Sequence, residues 1–201
     1  MRWILATLMV GFIPAVAAQT SPPATPSSSL LERAFAVGGK VTMKLSAGSY
    51  TVLSGSENKI RVQWKTRKPD QLKGVKVDVQ ANGSEATIQT RAPRNSDFEA
   101  VIELPVRAAL RIRLSAGDLQ IRGIEGDTDV EAHAGDVTIN VGSSAEYGHA
   151  DASVRAGDIE APPFGASKGG LFRSFQWQGK GKHSLHVHVG AGSITILGSR
   201  E

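Results

Sequence analysis

The chain contains no cysteine, which excludes disulfide staples, thiolate metal sites, cysteine nucleophiles and a lipidated amino-terminal cysteine. Aromatic residues make up only 5% of the 201 residues, so most of the 40% apolar content is aliphatic. That content suffices for the core of one domain and is too high for wholesale disorder. An excess of one charge is also nearly lacking. The 23 Lys+Arg against 19 Asp+Glu leave +4, and a surplus so small and scattered does not by itself indicate a polyanionic partner. There is no Gly-x-Ser-x-Gly elbow, no His-Glu-x-x-His, no phosphate-binding glycine loop and no dinucleotide fingerprint. The sequence therefore names no catalytic residue, no metal site and no cofactor.

The first eighteen residues read as a secretory signal peptide. Arg2 supplies positive charge, Trp3 to Pro14 is apolar, and Ala15-Val16-Ala17-Ala18 offers small residues for cleavage. The apolar run is shorter than the roughly 20 residues of a spanning helix, and no later run approaches that length. The expectation is an exported protein, periplasmic or extracellular, with no transmembrane segment after cleavage at Gln19. Residues 19–29, with Thr20 to Ser29 reading TSPPATPSSS, then form a disordered Pro/Ser/Thr-rich leader.

From Val41 onward apolar and polar residues alternate with period two, as in Val41-Met43-Leu45, Ile60-Val62-Trp64, Val75-Val77-Val79, Leu110-Ile112-Leu114, Val137-Ile139-Val141 and Leu185-Val187-Val189. This is the signature of half-buried strands. Only Leu30 to Val37 has the character of a short helix, closed by Gly38-Gly39 and suited to cap the fold. The predicted class is all-β, as one domain over residues 30–201.

A short phrase recurs within it: Ala47-Gly48-Ser49, Ala116-Gly117-Asp118, Ala134-Gly135-Asp136, Ala156-Gly157-Asp158 and Ala191-Gly192-Ser193. The apolar phase slips across it, from Leu110, Ile112, Leu114 to Leu119, Ile121, and from Leu185, Val187, Val189 to Ile194, Ile196. A one-residue slip would turn a straight strand inside out, so the chain must bulge or turn a corner at each glycine. From Gly117 the glycines follow at 18, 22 and 35 residues, near the length of a solenoid rung for the first two. The expected architecture is a β-solenoid, parallel β-helix-like, with Ala-Gly-Asp/Ser corners. The alternative is an antiparallel β-sandwich of hairpins, although Asn82-Gly83 is the one strong type I′ hairpin signal.

With its signal peptide, the apolar-x-Ala-Gly-[Asp/Ser]-apolar phrase and the closing run Leu185 to Ile196, the chain resembles the bacterial putative-adhesin family of β-strand-repeat domains over roughly Val41 to Leu197. The resemblance implies an exported, β-helix-like domain and brings no catalytic motif. The chain departs from the repeat between Glu160 and His183, where prolines and aromatics intrude.

Four groups of residues have chemical potential. His186 and His188 flank Val187, so both imidazoles should project outward on one side of a strand, where with a further ligand they could bind a transition metal; His183 has the opposite parity. Asp127, Asp129 and Glu131 should line one strand face, with Arg111, Arg113 and Arg122 nearby to neutralise them. Asp118, Asp136 and Asp158 occupy equivalent corner positions, suited to capping turns. Pro162 to Lys182 combines rings with cations, and Phe172, Arg173, Phe175, Trp177, Lys180 and Lys182 are its candidate binding residues; the same rings equally suit an end cap over the core. The expected function is an exported, non-enzymatic, adhesin-like interaction or structural module of the cell envelope, whose partner is an envelope protein or polysaccharide and not a nucleic acid. The alternative is a carbohydrate-active enzyme or polysaccharide-binding protein on a β-helix scaffold, which would need carboxylates such as Asp127 and Asp129 to converge with cations in a cleft.

Overall fold

The computed structural model describes residues 28–55, 58–67 and 69–198. The expected signal peptide and all but the last two residues of the expected leader lie outside the described residues. The strands are β1 (Ser28–Ala34), β2 (Lys40–Leu45), β3 (Gly48–Ser54), β4 (Lys59–Lys65), β5 (Lys76–Asn82), β6 (Glu85–Arg91), β7 (Glu99–Leu104) and β8 (Ala109–Leu114), then β9 (Gly117–Arg122), β10 (Thr128–Ala134), β11 (Val137–Asn140), β12 (Tyr147–Ala161), β13 (Ala166–Gln178), β14 (His183–Ala191) and β15 (Ile194–Leu197). Among the described residues only three short 3-10 turns interrupt them, and no helix is long and apolar enough to cross a membrane.

All fifteen strands join one sheet, ordered β1-β4-β7-β3-β9-β11-β15-β12-β14-β10-β8-β2-β6-β5, with β13 on the outer side of β12. The first half of β12 pairs with β14 and its last residues with β15, so this one strand carries the sheet round from one ladder to the other. At the far ends β1 and β5 touch, and the sheet nearly closes on itself as a flattened barrel. Antiparallel pairing is confined to β1–β4, β4–β7, β5–β6 and β12–β13, and the remaining pairings are parallel.

The sheet answers fully to neither expected geometry. Its interior pairings are parallel, unlike those of an antiparallel sandwich. Nor do strand pairs stack in chain order: β6 and β7 lie outside β2 and β3, and β14 and β15 are inserted between β10 and β11 on one side and β12 on the other. The phase slip does what the repeat requires. Leu110, Ile112 and Leu114 are buried before Gly117, and Leu119 and Ile121 after it, because the strand before each corner belongs to one ladder and the strand after it to the other. The inward side chains of both ladders form one aliphatic core, including Val41, Met43, Ile112, Val130, Val187, Ile121 and Ile194.

The corner glycines form a column in the order Gly48, Gly117, Gly135, Gly192, Gly157. A Cβ on any of the last four would come within 3.0 Å of the backbone carbonyl oxygen of the glycine before it. Together with φ of 106–138° at those four, this leaves glycine as the residue that fits.

Leu30 to Val37 is not a helix. Ser28–Ala34 is an edge strand antiparallel to β4, with little buried along it, and an edge strand with one wet flank shows weak alternation in sequence. The same strand takes in Ser28 and Ser29 from the expected leader. Asn82-Gly83 does mark a hairpin, between β5 and β6. Its two-residue loop is Gly83-Ser84, with positive φ at Gly83 (60°) and not at Ser84, the type II′ pattern rather than I′.

Candidate binding face

Alternation places every second residue of β6, β2, β8, β10, β14 and the first half of β12 on the outer side of one ladder. Register aligns them in rows. One row runs Thr42, Arg111, Asp129, His186, Asp151; the next runs Lys44, Arg113, Glu131, His188, Ser153. The opposite ladder presents a more neutral middle row, Thr51, Gln120, Thr138 and Thr195.

The first row is a chain of polar contacts. Arg111 Nε lies 2.9 Å from Asp129 Oδ2. Asp151 receives two imidazoles, His186 through Nδ1 at 2.5 Å and His149 through Nε2 at 3.1 Å. In the second row Arg113 pairs with Glu131, and His188 Nδ1 meets Ser153 Oγ at 2.8 Å. Partial burial, then the charges of Arg155 and His186, hold the His188 pKa below its ordinary 6.5. Asp127 Oδ1 accepts from the backbone N–H of Ser184 (2.8 Å) and its hydroxyl (2.9 Å), a structural tie between β10 and β14.

His186 and His188 thus project to the same outer side, as their parity implies. Among the described residues no group of three or more His, Asp or Glu is arranged to hold a metal ion. The expected cross-strand pairs form at Arg111–Asp129 and Arg113–Glu131. Arg122 lies on the opposite ladder and donates to Gln120 Oε1 at 2.8 Å instead. Among the corner carboxylates, Asp136 Oδ1 accepts from Ser193 N at 2.9 Å, capping the neighbouring corner rather than its own.

Next to the second row an open groove of about 590 Å³ runs across the strands, with Lys44, Arg91, Arg113, His133, Arg155 and His188 among its walls. Its floor includes Ser46 and Thr90, both held by the buried Tyr50 hydroxyl, which lies 2.7 Å from Thr90 Oγ1 and donates to Ser46 O at 3.0 Å. Gly190 keeps the floor low between His133 and Arg155; a Cβ there would strike the His133 carbonyl oxygen. Lys44, Arg91, His133 and Arg155 were not singled out by the sequence reading. The available signal was positional, since the residues two and four before each corner glycine face outward, and Lys44, Arg113, His133, Arg155 and His188 all stand there.

The aromatic segment divides. Phe164 sits at the centre of a ring cluster, with centroids 5.9 Å from Tyr147, 6.2 Å from Phe175 and 5.0 Å from Trp177. Phe175 is buried and Trp177 packs on the core, so these two rings cap the end of the barrel. Burial, reinforced by Glu146, Asp127 and Glu125, pushes the Tyr147 hydroxyl up to about 12. Phe172 remains 81% exposed, beside Lys168 and Arg173 at a shallow depression. Lys180 and Lys182 lie in the β13–β14 connection, and Lys182 lines a separate depression with Glu125, Glu146 and His183. The six candidate residues therefore do not form one surface.

No family model matches the sequence, and no curated protein matches it. Among solved structures, the chain is similar to a putative cell adhesion protein from Clostridium sporogenes, at TM-score 0.53 and 13% identity over 86% of this chain and 100% of that one. A putative adhesin from Bacteroides fragilis aligns over 86% of this chain and 98% of its own at 10% identity, with a TM-score of 0.26. The resemblance seen in the sequence therefore holds at the level of the fold, which this all-β chain shares with the clostridial protein.

Proposed function

We propose that the chain is an exported, non-enzymatic, adhesin-like module of the cell envelope, which holds a macromolecular partner on the outer face of a solenoid-like stack of strand pairs. The observation that carries this reading is the form of that face. The carboxylates of its two central rows are engaged by arginines or histidines, and its grooves are open and run across many strands instead of closing round a small molecule. Such a surface suits an extended partner, envelope protein or polysaccharide, contacted at many points. The likeness to the clostridial protein supports the scaffold, and the amino-terminal sequence supports export. Phe172 and Arg173, exposed at the barrel's end, offer a second contact, while Phe175 and Trp177 serve packing.

The test is fractionation of cells expressing the full chain, followed by co-sedimentation of the purified protein with isolated envelopes and incubation with a panel of polysaccharides. Export, saturable envelope binding and intact polysaccharides are expected. Retention in the cytoplasm, absence of envelope binding, or release of oligosaccharide products would overturn the reading.

A further inference from the structure

The modest positive surplus of the sequence is gathered by the fold. Along the ladder order β6, β2, β8, β10, β14, β12 each strand contributes one basic side chain to the groove: Arg91, Lys44, Arg113, His133, His188 and Arg155. Lys44, Arg113 and His188 stand in the second row and Arg91, His133 and Arg155 two residues further along their strands, so the six form a zigzag band across six strands spaced by about 4.8 Å, about 24 Å in all. Glu131 is the one carboxylate in the groove wall, and it is taken up by Arg113. Lys44, Arg91, His133 and Arg155 have no ion-pair or side-chain hydrogen-bond partner among the described residues, although cations on folded surfaces commonly find carboxylates. Their donors are free for a ligand.

Resting on the reading of this face as a binding surface, we infer that the groove binds a linear acidic polysaccharide laid across the strands, its carboxylate or sulfate groups meeting the basic side chains of successive strands. A band of basic side chains drawn from successive strands, four of them lysine or arginine, is complementary to a chain with regularly repeated negative charge. A compact anion would use only two or three of them. A single-stranded nucleic acid is disfavoured because no Phe, Tyr or Trp lines the groove, and binding of that class relies on base–aromatic stacking. The exposed Ser115 side chain on the same walls supplies a hydroxyl for sugar oxygens.

The experiment is fluorescence anisotropy of the purified protein with labelled polygalacturonate and labelled heparin oligosaccharides, with labelled neutral dextran and a single-stranded DNA as comparisons. Two double variants are measured: Arg91→Glu with Arg155→Glu at the ends of the groove, and Arg33→Glu with Arg122→Glu on the opposite ladder. All four side chains are exposed, and thermal unfolding confirms that each variant folds. The expected result is binding of at least one acidic glycan that weakens with salt, falls tenfold or more in the groove variant and changes less than threefold in the other. The arms separate a carboxylated from a sulfated ligand. Equal losses in both variants would reduce the effect to net charge and overturn the inference, as would a loss confined to the Arg33/Arg122 variant. DNA binding as tight as glycan binding would overturn the choice of ligand. Failure of every acidic glycan to bind, with envelope co-sedimentation intact, would overturn this inference while leaving the broader function standing.

Discussion

Gly135 lies in the middle of the glycine column, between Gly117 and Gly192, at φ 121°. Its replacement by alanine imposes two separate costs. An L side chain held this far into positive φ costs about 1–3 kcal/mol. The added Cβ would also come within 3.0 Å of the carbonyl oxygen, carbonyl carbon and nitrogen of Gly117. Those are backbone atoms anchored in the parallel ladder, so relief requires moving β9 away from β11, and overpacking of this kind costs about 1–3 kcal/mol more. A total of about 4 kcal/mol is a large part of the roughly 5–15 kcal/mol that a domain possesses, and for a chain of this size it lowers Tm by about 8–16 °C. Gly83→Ala is the control: φ is 60°, but nothing lies within 4 Å of the added Cβ, so only the conformational cost of about 1–2 kcal/mol applies. Urea unfolding of both variants, followed by circular dichroism, measures the difference. If Gly135→Ala falls within about 1 kcal/mol of Gly83→Ala, the close backbone stacking of the corners is refuted.

Three further outcomes are expected. Asp136→Ala removes the acceptor for Ser193 N and should cost about 1–2 kcal/mol, whereas Asp118→Ala, at the equivalent corner with no such bond, should be near neutral by the same unfolding measurement. Phe164→Ala empties the centre of the ring cluster and should cost about 3–5 kcal/mol, with a change in the near-ultraviolet signal as Tyr147 and Trp177 lose their neighbour; a silent spectrum would contradict the cap. His188 has a folded pKa below its unfolded value, so its contribution is fully present above pH 6.5 and is lost as the pH falls through the lower folded value. His188→Gln should therefore shrink the drop in Tm between about pH 8 and pH 5, and an undiminished drop would count against partial burial of that imidazole.

The legible part of the fold was whatever depends on parity along one strand. The burial of Leu110, Ile112 and Leu114, the outward pair His186 and His188, and the reversal of phase at Gly117 all follow from a period of two and one slip. What parity cannot carry is the order in which equivalent strand pairs stack. Each pair has the same apolar inner face, and nothing in the local sequence says that β14 and β15 precede β12 in space. The groove was hidden for the same reason, since Arg91 and Arg155 stand five strands apart and are united only by that order. Phe175 and Trp177 read equally as ligand-binding rings and as an end cap because an aromatic cluster near cations looks the same in sequence whether it faces solvent or closes the barrel.

The insertion of β14 and β15 between β10–β11 and β12 has a consequence for how the molecule is made. A chain emerging from the ribosome completes β12 before the strands that must lie beside it exist, so β12 has no parallel neighbour on its inner edge until β14 and β15 arrive. The two ladders cannot grow one strand pair at a time; their final third must assemble in a single late event built on contacts distant in sequence, which is slow. Until then the nascent protein stays open, a state in which it can still be threaded through a narrow channel or captured by a holdase. Closure of the sheet is thereby deferred until β14 and β15 are made, by strand order alone.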